Sequence, residues 1–445
     1  VSRRGCVVRR ALAPTVQDIV ESGLCMGCGA CEALAGPDRI RVRWNEHGAC
    51  RPHVMAPLDE AAQARIRAVC PGLRMERRDV GPPSLSRAGG TGRVKGERPD
   101  LQPPVVDDLI FGHVEQMVEA YAADPEIRFA GSSGGVLTAL GVHLLESGRA
   151  AAVLHVAASR THPLRSEAQV SRTRDDMLRA AGARYGPAAP LTPLAELVRG
   201  GEPFAVIGKP CDVAAVRNLT RHVPRLEGQV VALLTVMCGG QAELPFIWGV
   251  LEDHDVTEDQ VTSFRCRGNG CPGPTAFETS DGRRVELTYE QVWGDAIHEW
   301  GLPFRCKICP DSQGEQADLM AFDSVAPEHV DVDNEGFNSV IVRTDRGRRL
   351  LHEAVCADAV RVTGDLQVAA LHEWQTHIVR RREGVLARLL GTALRNGVVP
   401  RVRGYRLREA AARDGWIGFL RNAWGASKRA GGARERMPGA ETRGG

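Results

Sequence analysis

Apolar positions along this chain switch between two periods, and the stretch from residue 105 to about 240 alternates them in a regular order. Residues 127–130 read as a short strand. A Ser/Gly loop follows, then a helix with Leu137, Leu140 and Leu144 on one face, then a strand over 151–157. Residues 204–207 form another apolar run, which leads through Gly208-Lys209-Pro210-Cys211 into a helix over 213–221. An apolar strand over 230–237 then ends at Cys238. This is a β-α-β unit, and right-handed crossover makes its strands parallel and close neighbours. Cys211 and Cys238 would then emerge together at the carboxyl edge of the sheet, where open α/β sheets bind ligands.

The flanking regions have other patterns. Residues 1–75 form a small cysteine-rich module, with Ile40-Arg41-Val42-Arg43-Trp44 followed by Asn45 to Gly48 reading as a hairpin with little core of its own. Residues 76–104 are rich in Gly and Pro without apolar periodicity, which marks a linker. The main domain starts near Val105 and divides into 105–245 and a more mixed part, 246–360. The latter has a turn-rich run at 268–274, a hairpin signal at Asp281-Gly282, and a strand over 339–343 leading into a helix from Asp345 to Cys356. Residues 361–445 read as a helical extension with a disordered last dozen residues. The fold class is α/β with α+β character, a cysteine-rich module in front and a helical tail behind.

Composition sharpens this picture in two places. At 445 residues and 43% hydrophobic content the chain can bury the cores of about two to four domains. Its 13 cysteines come with no apolar run of membrane-spanning length and no signal-like apolar core near the Arg-rich start, so a cytoplasmic, reducing setting is expected. There, cysteines serve as metal ligands or redox groups rather than disulfides. The net charge of +2 hides 16 Lys/Arg against 5 Asp/Glu in residues 379–445, which leaves the first 378 residues at −9. The tail therefore reads as a separate electrostatic object. Its simplest form is a solvated helical appendage, but it also suits an acidic electron-carrier protein, or anionic lipid met through Trp416, Ile417, Phe419, Leu420 and Trp424.

Chemistry concentrates in the cysteines. Cys25-x-x-Cys28-x-x-Cys31, with Cys70-Pro71 further on, has the spacing of a ferredoxin [4Fe–4S] site, in which one loop reaches three corners of a cubane and a distant cysteine closes the fourth. Gly27 and Gly29 let the loop wrap tightly. Zinc suits this spacing less well, because structural zinc sites usually pair two Cys-x-x-Cys or Cys/His units. A second quartet is Cys211, Cys238 and Cys306-x-x-Cys309, followed by Pro310. The competing grouping, Cys266, Cys271, Cys306 and Cys309, would be a zinc-ribbon-like structural site. Gly131-Ser132-Ser133-Gly134-Gly135, with Thr138 one turn on, offers backbone N–H groups to a phosphate, although Ser before a helix is most often only a cap. Cys271, in Gly268-Asn269-Gly270-Cys271-Pro272-Gly273-Pro274, is either a redox partner of Cys266 or part of a rigid turn. His143, His155, His298 and His377 have no metal-ligand spacing, and Asp311 and Asp318 read as loop caps.

These segments, together with Ser132 to Leu140, Arg267 to Pro274 and Phe304-Arg305-Cys306-Lys307-Ile308-Cys309-Pro310-Asp311, resemble the coenzyme F420 hydrogenase/dehydrogenase β-subunit family over about residues 20–355. The Gly-Asn-Gly-Cys-Pro-Gly-Pro run looks most like the branch with 7-hydroxymethyl chlorophyll a reductase and the ferredoxin-type divinyl chlorophyllide 8-vinyl reductase. The resemblance implies FAD and one or two [4Fe–4S] clusters. It also implies electron passage between a carrier, either a ferredoxin or a deazaflavin, and an organic substrate. It makes Ser132, Ser133, Gly134, Gly135 and Thr138 a flavin-contacting loop, adds Arg184 and Tyr185 from Ala183-Arg184-Tyr185-Gly186, and favours Cys211, Cys238, Cys306 and Cys309 as the second cluster's ligands. The pocket near Cys271 becomes the expected site of reaction. One departure is Ala321-Phe322-Asp323-Ser324-Val325, where relatives commonly carry Gly/Ser-Asp-x-Trp. Two other readings stay open: a non-catalytic electron-transfer subunit of a larger enzyme, and a zinc-stapled structural protein.

Overall fold

The computed structural model describes residues 13–77, 105–294, 300–326, 328–329 and 335–432. Most of the linker, His298 and the last dozen residues lie outside these. An eight-stranded mixed sheet organises the rest. In spatial order its strands are Val360–Asp365, Gln116–Ala122, Asn338–Val342, Leu319–Asp323, Val230–Val236, Phe204–Gly208, Ala152–Ala158 and Ser166–Ser171. The four from Leu319–Asp323 to Ala152–Ala158 are mutually parallel, and the outer ones pair antiparallel.

The central strands bury both faces, so they read as continuous apolar runs. Val153, Ala205 and Ala232 pack on one side against the helices Val136–Glu146 and Asp345–Cys356. Leu154, Val206 and Leu233 pack on the other against Leu194–Gly200 and Pro210–His222. The expected β-α-β unit is present: Phe204–Gly208 and Val230–Val236 are parallel neighbours joined by the helix Pro210–His222. Asp281-Gly282 turns the antiparallel pair Thr275–Thr279 and Arg284–Leu287, and Val261–Arg265 completes a second sheet.

One predicted element is different. Residues 127–130 belong to a helix, Pro125–Ala130, and the strand lies earlier, at Gln116–Ala122. Asp124 caps that helix by accepting the Glu126 N–H at 2.8 Å, and Pro125 supplies the fixed φ of a first helical residue. The Ser/Gly loop therefore joins two helices instead of a strand and a helix.

The cysteine-rich module contains the expected hairpin, Ile40–Trp44 paired with Cys50–Val54. Its own core is small, and Cys28, Ala30 and Val69 join the apolar cluster on the sheet's second face. Two glycines fix the loop. A side chain at Gly27 (φ 71°) would stand 2.4 Å from the Cys50 carbonyl oxygen, and one at Gly29 (φ 89°) would stand 2.8 Å from the Thr192 backbone nitrogen.

The tail is not a separate appendage. Ile378, Val385 and Leu389 are buried, and Arg401–Arg403 adds a strand parallel to Arg74–Glu76 of the module. Arg382 is buried against Glu315 and donates to the Pro310 carbonyl. Nearby, the Tyr405 hydroxyl donates to Asp311 at 3.1 Å and accepts from the Gln316 amide at 3.2 Å. Counting charges could not reveal this, because cations paired inside the protein and cations in water count alike. Replacing Arg382 with Met would leave Glu315 with less compensation in the interior. Arg382→Met should cost about 3 kcal/mol in urea-unfolding free energy, whereas the exposed Arg408→Met should be near neutral.

Candidate functional site

Cys25, Cys28, Cys31 and Cys70 line a single cavity, walled by Met26, Leu34 and Ile66. Cys25 and Cys28 come from the loop shaped by Gly27 and Gly29, and Cys31 from the first turn of the helix Ala30–Ala35. The fourth caps the carboxyl end of the helix Glu60–Val69. Burial pushes the Cys70 thiol up to about 11, with Cys25 adding to the rise. Cys28 and Cys31 are raised well above the ordinary thiol range, first by burial; Asp212 and Cys70 add to the rise at Cys28, and Cys25 and Cys70 at Cys31. Burial keeps such thiols protonated, and a bound metal cation would displace their protons to solvent.

The second quartet behaves alike. Cys211 opens the helix Pro210–His222, Cys238 follows the strand Val230–Val236, and Cys306 lies on the short helix Phe304–Lys307. The Cys238 N–H donates to Ser312 at 2.9 Å, and the Cys309 N–H to Cys306 at 3.2 Å. Burial pushes Cys238 up to about 12, with Cys306 and Cys309 adding to the rise. Cys211 is raised by burial, then by Asp212, with Cys238 and Cys309 contributing. The competing zinc grouping is divided: Cys266 lies in an apolar cluster with Phe277 and Trp293, and Cys271 faces Arg267 and Ser133. Among the described residues, no three His, Cys, Asp or Glu side chains converge as they would on a single metal ion. Four cysteines that line one cavity, as Cys25, Cys28, Cys31 and Cys70 do, would suit a cubane, which takes one thiolate per iron.

The two quartets are fastened to each other. Arg305, beside Cys306, donates to the Pro71 carbonyl at 2.9 Å, and Asn218 donates to Val69 at 3.3 Å and Arg74 at 3.2 Å. Between them sits an ion pair, Lys209 Nζ to Asp212 Oδ2 at 2.9 Å. Burial alone would lower the Lys209 pKa, but Asp212 and the Cys211 thiol outweigh it and hold the ammonium charged. Lys209 also lowers Cys238 and Cys50, while Asp212 raises Cys28. From the tail, Arg381 donates to the carbonyls of Cys238 at 3.3 Å and Gly239 at 2.5 Å, and Arg388 to that of Lys307 at 3.2 Å.

A cluster of polar side chains adjoins the Ser/Gly loop. Ser133 donates to the Phe337 carbonyl at 2.6 Å, and Gly134 lies so close to Asn338 and the Ala120 carbonyl that a side chain would collide with them. Ser132 and Thr138 are half-buried at the start of the helix Val136–Glu146. Across from the loop, Arg267 binds Asp323 at 2.8 Å, the Pro272 carbonyl at 2.7 Å and the Tyr185 hydroxyl at 3.4 Å. Tyr185 packs edge-on to Trp293 and stacks on Trp300. Arg184 spends its donors on Ser166, Phe264 and the carbonyls of residues 163–165, and so ties these segments together.

Sequence reading missed several participants. Arg267 and Asp323 are 56 residues apart, and only the tertiary fold pairs them. Glu119 accepts bonds from Ser324 and from Thr363 at 2.7 Å, and lies 2.8 Å from His329 Nδ1. Burial raises its pKa, but these partners outweigh that effect and lower it. Asp311 and Asp318 are structural as expected: Asp311 caps the Glu315 N–H, and Asp318 accepts from Arg217 at 2.9 Å and the Leu233 N–H at 2.9 Å.

The Cys271 thiol is raised by burial, then by Asp323, with Arg267 and Ser133 opposing. Asp323→Asn should release Arg267 toward the thiol and move the pH midpoint of Cys271 alkylation downward, as followed by peptide mass spectrometry. An upward move would contradict this arrangement.

Residues 117–195 match the family described as coenzyme F420 hydrogenase/dehydrogenase, beta subunit N-term, and residues 201–367 match its C terminus. A coenzyme F420 hydrogenase subunit beta from Methanosarcina barkeri is 25% identical over 270 residues, covering 56% of this chain and 82% of that protein. A coenzyme F420-dependent sulfite reductase from Methanocaldococcus jannaschii is 22% identical over 428 residues, or 90% of this chain; the match spans 58% of that longer protein. Among solved structures, a chain of the F420-reducing [NiFe] hydrogenase complex from Methanosarcina barkeri shares the fold, with TM-score 0.52 and 21% identity over 66% of this chain and 98% of that one. The sheet, its carboxyl-edge cysteines and both matched segments make this chain a member of the coenzyme F420 hydrogenase/dehydrogenase β-subunit family.

Proposed function

We propose that this chain is an iron–sulfur flavoprotein oxidoreductase that relays electrons from a one-electron carrier or a deazaflavin to an organic substrate. The observation that carries the reading is the pair of cysteine quartets joined across the Lys209–Asp212 ion pair at the sheet's carboxyl edge. When bound, [4Fe–4S] clusters supply one-electron chemistry and FAD couples it to two-electron chemistry. The eight cysteines would hold the clusters, Cys25, Cys28, Cys31 and Cys70 the one taken as outer and Cys211, Cys238, Cys306 and Cys309 the one taken as inner. Lys209 and Arg381 offset the negative charge of the inner thiolates.

Ser132, Ser133, Gly134, Gly135 and Thr138 would receive the flavin through backbone N–H groups and hydroxyls at the start of the helix Val136–Glu146. Among the described residues, both amide atoms of buried Gln241 and the indole N–H of Trp300 lack a hydrogen-bond partner, and a polar ring edge would satisfy them. Arg267, steadied by Asp323 and Tyr185, presents its charge to the pocket where Cys271 stands. Cys271 is the residue proposed to touch substrate. Relatives named for coenzyme F420 favour a deazaflavin over a ferredoxin as the carrier.

Other relatives are named as subunits, which supports a second reading: a non-catalytic electron-transfer subunit docked in a larger enzyme. That reading expects no reductase activity from the isolated chain and tight co-purification with a partner. Anaerobic purification with iron, sulfide, zinc and flavin quantified together tests the first. About eight irons and one FAD per chain are expected. Cys25→Ser should keep the flavin, lose about four irons and abolish turnover by a one-electron donor. Zinc without flavin, or undiminished turnover without the outer cluster, would overturn the proposal.

A further inference from the structure

The carboxyl-terminal helix presents an apolar face that nothing else in the described chain covers. The segment Leu407–Gly432 is broken at Gly415 (φ 66°), so the helix restarts at Trp416. Trp416, Ile417, Leu420 and Trp424 are 59–75% exposed. At 3.6 residues per turn they fall within an arc of about 100°, with Arg421 and Lys428 along one border. The Lys428 ammonium lies 3.6 Å from the Trp424 ring centroid. The opposite face holds the buried Gly418, Ala426 and Ala430 and is seated on the helix Val385–Asn396, where a side chain at Gly391 would strike the Ala423 backbone. That supporting helix exposes Leu390 and Leu394 as well, the latter at 80%.

We infer that this face lies in the plane of an anionic bilayer surface. Residues 415–432 carry three cations, Arg421, Lys428 and Arg429, and no carboxylate. Two copies of the face would set cation against cation, whereas a lipid headgroup layer supplies the complementary charge. Trp416 and Trp424, two turns apart along this face, suit the boundary between headgroups and acyl chains. None of the described helices is long and apolar enough to cross a membrane; an amphipathic helix lying in the interface makes a peripheral contact.

Flotation of the full chain with vesicles tests this. Binding to phosphatidylcholine vesicles containing about 30 mol % phosphatidylglycerol should be salt-sensitive and accompanied by a blue shift of tryptophan emission. Pure phosphatidylcholine should bind weakly. The double variant Trp416→Ala/Trp424→Ala should lose binding at least about tenfold. Arg421→Gln/Lys428→Gln, which leaves the apolar face intact, should weaken binding to the anionic vesicles alone. Absence of binding to anionic vesicles overturns the inference. So does equal binding to neutral vesicles, or light scattering that shows the tryptophans holding a dimer in lipid-free solution.

Discussion

The ion pair between Lys209 and Asp212 is the interaction on which the arrangement of the site depends. Asp212 accepts both the Lys209 ammonium and, at 3.2 Å, the Lys209 backbone N–H, so one carboxylate fixes the turn from strand to helix and orients the cation. That turn places Cys211 at the edge of the sheet. The carboxylate lies toward Cys28 of the outer quartet, and the ammonium toward Cys211 and Cys238 of the inner one. Buried thiols resist ionisation and one another, so any site that needs them as thiolates also needs positive charge beside them. The chain supplies it with Lys209 on one side and Arg381 on the other.

How much of this was legible depended on how local the signal was. The gathering of Cys25, Cys28, Cys31 and Cys70 around one cavity was legible because three of them share a seven-residue stretch whose glycines tolerate the close approach. The β-α-β unit was legible because buried parallel strands leave apolar runs that no surface helix needs. Residues 127–130 misled because Ile127 and Phe129 alternate like a strand, although Asp124-Pro125 carried the helix-start signal. The Arg267–Asp323 and Arg382–Glu315 pairs left no trace in the sequence, since each joins segments more than fifty residues apart. Lys209 was visible in its motif, but its role needs the neighbours that only the fold provides.

The carboxyl-terminal extension changes meaning most between sequence and structure. As a charge count it stood apart from the body of the chain. In the fold its helices Thr376–Glu383 and Val385–Asn396 place Arg381, Arg382 and Arg388 on the carbonyls that flank the inner cysteines, and its short strand clamps the outer module. The face around Trp416 and Trp424 looks outward. One segment thus closes the inner site, joins the module to the sheet and offers a surface to the outside.

The most direct measurement of the central claim is an EPR-monitored redox titration of the native chain and of Lys209→Met. Two cubanes flanking the ion pair should give two reducible [4Fe–4S] signals, and loss of the ammonium should make the inner one harder to reduce, at a more negative potential, with the iron content unchanged. A single cluster signal, or potentials indifferent to Lys209, would contradict it.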